Sequence, residues 1–148
     1  PVRYSQTFDE STEYVWSSDM VAYRPDIVVI YLCTNDFSTA RQPHELIFAQ
    51  RYIELLNKVK ANYGEDVPIL CMASNVTPFS FDYIRTACVM SGLKNVSYMG
   101  MTTNVHNHST DLGASAHPNY KGHIKVASNV IPYISSITGW EMTEQQYK

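Results

Sequence analysis

The sequence has few charged residues of either sign, and its basic residues do not form a cluster. Its 148 residues include 11 Lys and Arg against 14 Asp and Glu, for a formal net charge of -3 at pH 7. A protein that binds the backbone of a nucleic acid needs a basic surface. We therefore expect no nucleic-acid partner.

Long apolar runs are missing as well. The longest covers residues 27–33, whereas a membrane-spanning helix needs about twenty residues. The first residues do not show the basic region, apolar core and small-residue cleavage site of a signal peptide. We expect no segment that spans a membrane, and the residues themselves leave the compartment open.

Cysteine is scarce, with only Cys33, Cys71 and Cys88. The number is odd, the spacing is wide, and each cysteine lies in an apolar or helix-like segment. This pattern argues against a disulfide framework. We expect three free thiols that behave as small buried hydrophobic side chains.

Metal ligands are not clustered along the chain. His106 and His108 are one residue apart, but apart from Asp111 no carboxylate or cysteine lies at a ligand spacing from them. We expect a solvated loop there, and neither a metal nor another cofactor.

The chain does contain apolar strands that alternate with amphipathic helices. An unbroken apolar run such as residues 27–33 is typical of a strand that is covered on both faces. The other predicted strands are residues 67–73 and 95–99. Helices are predicted from Pro43 to Gly64, around residues 81–88 with an end at Gly92, and after Pro118 with a kink at Pro132. A further short helix is predicted within residues 17–23. This order indicates an α/β protein with a parallel sheet and helices on both faces.

Polar residues follow each predicted strand, where parallel sheets bind their ligands. Asn35 follows the first strand and could donate a hydrogen bond to an oxyanion, although Asn is also common in ordinary turns. His117 precedes the last helix and could act as a general base near pH 7, or simply cap the helix. Neither residue decides the function by itself.

Two segments together resemble a known superfamily. Residues 32–38 follow a Pro-Asp-Ile-Val-Val-Ile strand and resemble the third conserved block of the SGNH (GDSL-like) hydrolases, whose usual form is Gly-x-Asn-Asp. Residues 113–123 resemble the fifth block, which carries the catalytic histidine. With residues 137–141 included, the chain is most similar to carbohydrate esterase family 2, over about residues 1–140. The resemblance implies a three-layer, parallel-sheet sandwich of the SGNH, flavodoxin-like type.

The resemblance also implies an activity and a set of roles. The family members are serine esterases that remove acetyl groups from plant polysaccharides or oligosaccharides, as an acetyl xylan esterase does. By this likeness His117 is the general base and Asn35 is the oxyanion donor, while Asp36 supports the turn. The same likeness implies secretion or a periplasmic location and no cofactor. A non-catalytic carbohydrate-binding relative, or a lipid esterase or thioesterase of the same fold, stays open.

The chain departs from the family pattern around both segments. Cys33 stands where the third block usually has glycine. No Asp lies two or three residues before His117, and Asp111, six residues before it, is a doubtful substitute. The resemblance to carbohydrate esterase family 2 implies that a backbone carbonyl beside the histidine orients the ring. We therefore expect a Ser-His dyad oriented by the carbonyl near Ala116.

The largest departure is the lack of a Gly-Asp-Ser block, which supplies the nucleophile on the first strand of the family fold. Ser38, Ser74 and Ser115 lie near the expected ligand edge but not on a glycine-flanked nucleophile turn. We expect residues 1–148 to be the C-terminal portion of one SGNH-type domain that lacks the first two strands. A companion segment or chain would supply the serine, and this chain alone would be inactive.

Overall fold

A computed structural model describes Tyr4 and residues 23–37, 42–74, 77–102 and 104–143. In chain order the strands and helices are β1 (Val28–Tyr31), α1 (Glu45–Tyr63), β2 (Ile69–Ala73), α2 (Ser80–Ser91), β3 (Val96–Gly100) and α3 (Tyr120–Thr138). The short helix predicted within residues 17–23 lies, apart from Tyr23, outside the described residues. No helix in the described ranges is long and apolar enough to cross a membrane.

The three strands form one parallel sheet in the order β1-β2-β3. Val29 stands beside Leu70, and Leu70 stands beside Ser97. All five residues of the central strand β2 are buried, because it has a neighbour on each side and helices over both faces. The alternation of strands and helices confirms the predicted α/β class.

The helices end where the sequence predicts. Gly64 follows α1 with φ of 104°, and Gly92 follows α2 with φ of 62° in the left-handed region. Glycine adopts such angles without steric cost, so the helix stops there. Helix α3 continues through Pro132, and the predicted kink stays a prediction.

Each face of the sheet has its own apolar cluster, because successive side chains of a strand point to opposite faces. Helices α1 and α2 pack on the face that carries Ile30, Ile69 and Cys71. Helix α3 contributes Val130 to the other face, which carries Leu70, Met72 and Met99. The three cysteines are free and buried, as predicted.

Strand β1 is covered less completely than β2. Val29 and Tyr31 lie in register with Leu70 and Met72, on the face where α3 packs, yet they are 40% and 41% exposed. Leu32, just after the strand, is 54% exposed. Within the described residues β1 pairs with β2 alone.

Candidate active site

Asn35 lies at the carboxyl end of β1, in a single 3-10 turn formed by Asn35–Phe37. The turn is closed by backbone hydrogen bonds from Asp36 N–H to the Cys33 carbonyl (3.1 Å) and from Phe37 N–H to the Thr34 carbonyl (3.3 Å). Buried Phe37 anchors the turn by packing against neighbouring aromatic side chains, with distances of 5.0 to 5.5 Å between ring centroids. The exposed Asn35 is thus carried on a firmly held turn at the predicted ligand edge.

Cys33 occupies the bend between β1 and this turn with φ of 85°. That is a left-handed conformation in which glycine is favoured, which gives a physical reason for the glycine usual in the third block. Burial, and then the nearby charge of Asp36, raise the pKa of the Cys33 thiol to about 12. The group is therefore a neutral thiol at neutral pH and a poor nucleophile.

Asp36 contributes to the turn through its backbone N–H, which donates to the Cys33 carbonyl. Its side chain is exposed. Residues 38–41, which directly follow the turn, lie outside the described residues, so the prediction that the Asp36 carboxylate braces the turn stays a prediction.

His117 lies in the segment that leads from β3 to α3. Residues 107–119, here called the His117 strap, form a small hairpin in which Leu112 bridges Pro118 in antiparallel fashion. The Gly113 N–H donates to the His117 carbonyl at 2.7 Å, and the Asn119 N–H donates to the Asp111 carbonyl at 2.9 Å. The hairpin holds His117 in an exposed position three residues before α3.

The His117 ring contacts a backbone carbonyl of the same strap. Its Nδ1 lies 3.3 Å from the carbonyl oxygen of Ala114, which also accepts the His117 backbone N–H at 3.1 Å. A carbonyl can only accept, so this contact requires the proton on Nδ1. The neutral ring then has its lone pair on Nε2, where a general base needs it.

The oxygen that orients the ring is that of Ala114, and the prediction of a carbonyl near Ala116 is corrected accordingly. The 3-10 turn Ala114–Ala116 contains two residues with positive φ, Ser115 at 54° and Ala116 at 58°. The chain therefore coils back at this point, and the first carbonyl of the turn faces the ring.

Asp111 makes no hydrogen bond to the His117 imidazole, so the role of orienting residue considered for it is also corrected. Its carboxylate is 2% exposed and accepts hydrogen bonds from the Asn107 N–H (2.6 Å), the Thr110 hydroxyl (2.8 Å) and the Lys125 ammonium. The Lys125 hydrogen bond, followed by that of Asn107, lowers the pKa of Asp111 to about 2. The charge of Asp111 is therefore compensated by these donors at the base of the strap, where residues 110–112 lie beside residues 118 and 119.

A depression of about 260 Å³ opens at the carboxyl ends of β2 and β3. Its lining is mainly apolar and comprises Ala73, Ser74, Pro78, Phe81, Gly100 and Met101. Ser74 is 3% exposed, while Ser38 and Asn75 lie outside the described residues. In the described ranges, no group of three His, Cys, Asp or Glu side chains could hold a metal ion.

Sequence reasoning missed the contributions of Ala114, Asn119 and Lys125. The role of a backbone carbonyl does not depend on the type of its side chain, so nothing in the sequence indicates the role of Ala114. Asn119 had one, because Asn directly before an amphipathic segment is a preferred N-cap. Lys125 lies 14 residues from Asp111, and their pairing becomes visible only once the hairpin is known.

The comparisons with known proteins agree with this architecture. The fold is similar to that of a family two carbohydrate esterase from Cellvibrio japonicus, with a TM-score of 0.75 and 20% identity over 93% of this chain and 40% of that chain. It is also similar to a carbohydrate esterase family 2 enzyme with a carbohydrate binding domain from Corynascus thermopiles (Myceliophthora fergusii), with a TM-score of 0.69 and 18% identity over 81% of this chain and 39% of that one.

Among curated proteins, the chain is 28% identical over 129 residues to the cellulase/esterase CelE of Acetivibrio thermocellus, covering 82% of this chain and 16% of that protein. No family model matches it. The resemblance to carbohydrate esterase family 2 and the SGNH-type α/β fold are confirmed by these findings. The chain spans less than half the length of each of these relatives.

Proposed function

We propose that this chain is the C-terminal portion of an SGNH-type serine esterase that removes acetyl groups from a plant polysaccharide or oligosaccharide. In this proposal His117 is the general base, Asn35 is the oxyanion donor, and the nucleophilic serine lies outside the chain. The observation that carries the proposal is the His117 ring, held by the Ala114 carbonyl with Nε2 as its acceptor, within the fold of two carbohydrate esterases.

The proposed reaction is acyl transfer in two steps. The serine hydroxyl attacks the acetyl carbonyl and gives its proton to His117 Nε2, which passes the proton to the departing sugar hydroxyl. Water then loses a proton to the same nitrogen and attacks the acetyl-enzyme. The nitrogen gives this proton to the serine oxygen as the ester bond breaks, which releases acetate and restores the serine hydroxyl. The Ala114 carbonyl stabilises the imidazolium that forms in each step, because it keeps a hydrogen bond to Nδ1–H.

Asn35 suits the second role because its turn is anchored before substrate binds. Its side-chain amide would donate to the oxygen on which negative charge develops. A donor that is already in place needs no reorganisation during the reaction, and removing one costs about 10²- to 10³-fold in kcat. The anchoring of the turn by buried Phe37 supports this role.

The serine would come from a companion segment, in the same or another polypeptide, that lies beside β1. Support for this placement comes from β1 itself, whose side chains Val29 and Tyr31 are only partly covered. Apolar surface of this kind on a strand with one described neighbour favours a further strand there. We propose secretion or a periplasmic location for the complete protein, because it would act on plant polysaccharide.

The test uses the complete protein that contains this chain. Intact mass establishes its polypeptides, and a fluorophosphonate probe identifies an activated serine. We expect the companion segment to take up the probe and acetylated xylan to release acetate. His117→Gln should abolish labelling, Asn35→Ala should slow acetate release about 10²- to 10³-fold, and the control His108→Gln should do neither.

Other outcomes would replace the proposal. No labelled serine, with retained binding to acetylated xylan, would indicate a non-catalytic carbohydrate-binding protein. Labelling with turnover of long-chain acyl esters or thioesters, and none of acetylated sugars, would indicate a lipid esterase or thioesterase.

A further inference from the structure

The base of the His117 strap is fastened to the start of α3 by Asn119. Its side-chain oxygen accepts the Gly122 N–H at 3.2 Å and so caps the helix. Its side-chain amide donates to the carbonyls of Thr110 (3.0 Å) and Leu112 (3.3 Å), which belong to the opposite arm of the hairpin. One side chain thus joins helix and hairpin.

Close packing fastens the same two parts again. A Cβ at Gly122 would overlap the Asp111 carbonyl oxygen and would stand 2.9 Å from Pro118 Cβ. The strap therefore lies directly on the first turn of α3, with no room for a larger residue.

The third fastening is ionic. The buried Asp111 carboxylate gathers the Asn107 N–H and the Thr110 hydroxyl from the strap, and the Lys125 ammonium from α3. Lys125 is the only one of the three donors that carries a charge, and it comes from the helix. Without it a buried carboxylate would stay uncompensated, which is strongly unfavourable.

The tip of the strap, the turn Ala114–Ala116, has a strained backbone. Its conformation therefore depends on how firmly the base of the strap is held. Ser115 and Ala116 are consecutive non-glycine residues with positive φ, a conformation that is unfavourable for any residue with a Cβ. They persist only where the surrounding structure forces them. If the base loosens, the tip can relax, and the Ala114 carbonyl then leaves His117 Nδ1.

We propose that Asp111 and Lys125 are positioning residues for His117: their ion pair clamps the strap to α3 and so keeps the ring in the Nδ1–H form. Neither residue touches the ring or the reacting atoms. The clamp is a property of the fold, and its catalytic meaning rests on the proposed function, in which His117 is the base.

The test is the tautomer of His117 in the complete protein that contains this chain, measured by long-range ¹H–¹⁵N NMR at alkaline pH, with His117→Gln to assign the signal. The wild type should show Nδ1 protonated and Nε2 unprotonated. Asp111→Asn and Lys125→Met should each convert the signal to an averaged, mixed tautomer, and Lys125→Arg, which keeps the charge, should retain the wild-type form.

The matched controls are Asp82→Asn and Arg85→Met, which remove an exposed ion pair on α2 and should leave the His117 signal unchanged. Backbone amide spectra verify that each variant is folded. If Asp111→Asn does not fold, Lys125→Met decides, because the Lys125 side chain is 46% exposed and Met keeps an unbranched side chain of similar length. A wild-type tautomer in Lys125→Met, or equal loss in the controls, would overturn the proposal.

A second readout separates this inference from the proposed function. In the complete protein, Lys125→Met should lower kcat about 10- to 10²-fold with little change in KM, since a misplacement of about 1 Å has effects of this size. If the complete protein has no esterase activity but the tautomer responds as described, the proposed function is wrong and the clamp stands. If activity is present but the tautomer does not respond, the clamp is wrong and the function stands.

Discussion

At the scale of single residues, Cys33 is strained by its backbone and protected by its burial. Its φ of 85° favours glycine, whereas its side chain is only 8% exposed and packs in the core. The two effects have opposite signs on replacement by glycine, so a single substitution would not separate them. A comparison of glycine with alanine does, because both remove the thiol.

We predict that Cys33→Gly is more stable than Cys33→Ala by about 1 kcal/mol, because alanine keeps the strain of positive φ and glycine releases it. The matched site is Cys88, which lies inside α2. There alanine should be the more stable variant, again by about 1 kcal/mol, because glycine weakens a helix. Urea unfolding of the four variants measures both differences, and a preference for alanine at both sites would contradict the argument.

Lys60 is a charged residue inside the fold. Only 2% exposed, it donates to the carbonyls of Glu65 (2.7 Å), Val67 (2.8 Å) and Lys94 (2.8 Å). Burial lowers the pKa of its ammonium group. One cation thus ties the end of α1 to the segments that lead into β2 and β3.

We predict that Lys60→Met lowers the free energy of unfolding by about 2–3 kcal/mol, because three carbonyl groups lose a charged donor. The control Lys121→Met, at an exposed position in the first turn of α3, should change it by no more than about 0.5 kcal/mol. Urea denaturation measures both. Equal effects of the two substitutions would show that the three contacts add nothing to stability.

At the scale of elements, the strap and α3 depend on the ionisation of Asp111. The pKa of this carboxyl falls from 3.8 to about 2 on folding, chiefly through the hydrogen bond from Lys125. A lowered pKa means that the ionised carboxylate is more favourable in the folded state than in the unfolded state. Its contribution to stability is complete above the unfolded value, and it disappears as the pH falls towards the folded value.

The expected result is a difference in unfolding free energy between the wild type and Asp111→Asn that is constant near neutral pH. That difference should shrink as the pH falls from about 4 to about 2, because the wild-type carboxyl becomes protonated in this window. Urea unfolding at a series of pH values tests this. A difference that stays constant down to pH 2 would show that the folded pKa is not lowered.

The order of the elements was predictable from the sequence, and the tip of the strap was not. Apolar periodicity and the stops at Gly64 and Gly92 are local signals, so the strands and helices follow from them. Neither Ser115 nor Ala116 is a glycine, so the sequence does not indicate a positive φ at these positions. For this reason the predicted carbonyl, near Ala116, lies two residues after the Ala114 carbonyl that faces His117. Motif matching predicts His117 and Asn35 as site residues, and these roles stay predictions, whereas side-chain partners depend on tertiary contacts that a pattern does not contain.

At the scale of the whole molecule, the core formed by the described residues is complete around β2 and incomplete beside β1. Ile30 is buried under α1 and α2, while Val29, its neighbour on the opposite face, is 40% exposed. Helix α3 packs over β2 and β3 and leaves this half of the face partly open. Apolar side chains beside a strand with one described neighbour favour pairing with another chain.

We therefore predict that the 148-residue chain alone associates with itself in a concentration-dependent way, through the surface that the companion segment would cover. Val29→Lys should reduce this association, because a charge on an edge strand opposes pairing. Val89→Lys, at a 65% exposed position on α2, is the control and should leave association unchanged. Sedimentation velocity over a range of concentrations measures all three proteins. A wild-type chain that stays monomeric at high concentration would mean that β1 is already covered, and the serine would then have to reach His117 from another side of the sheet.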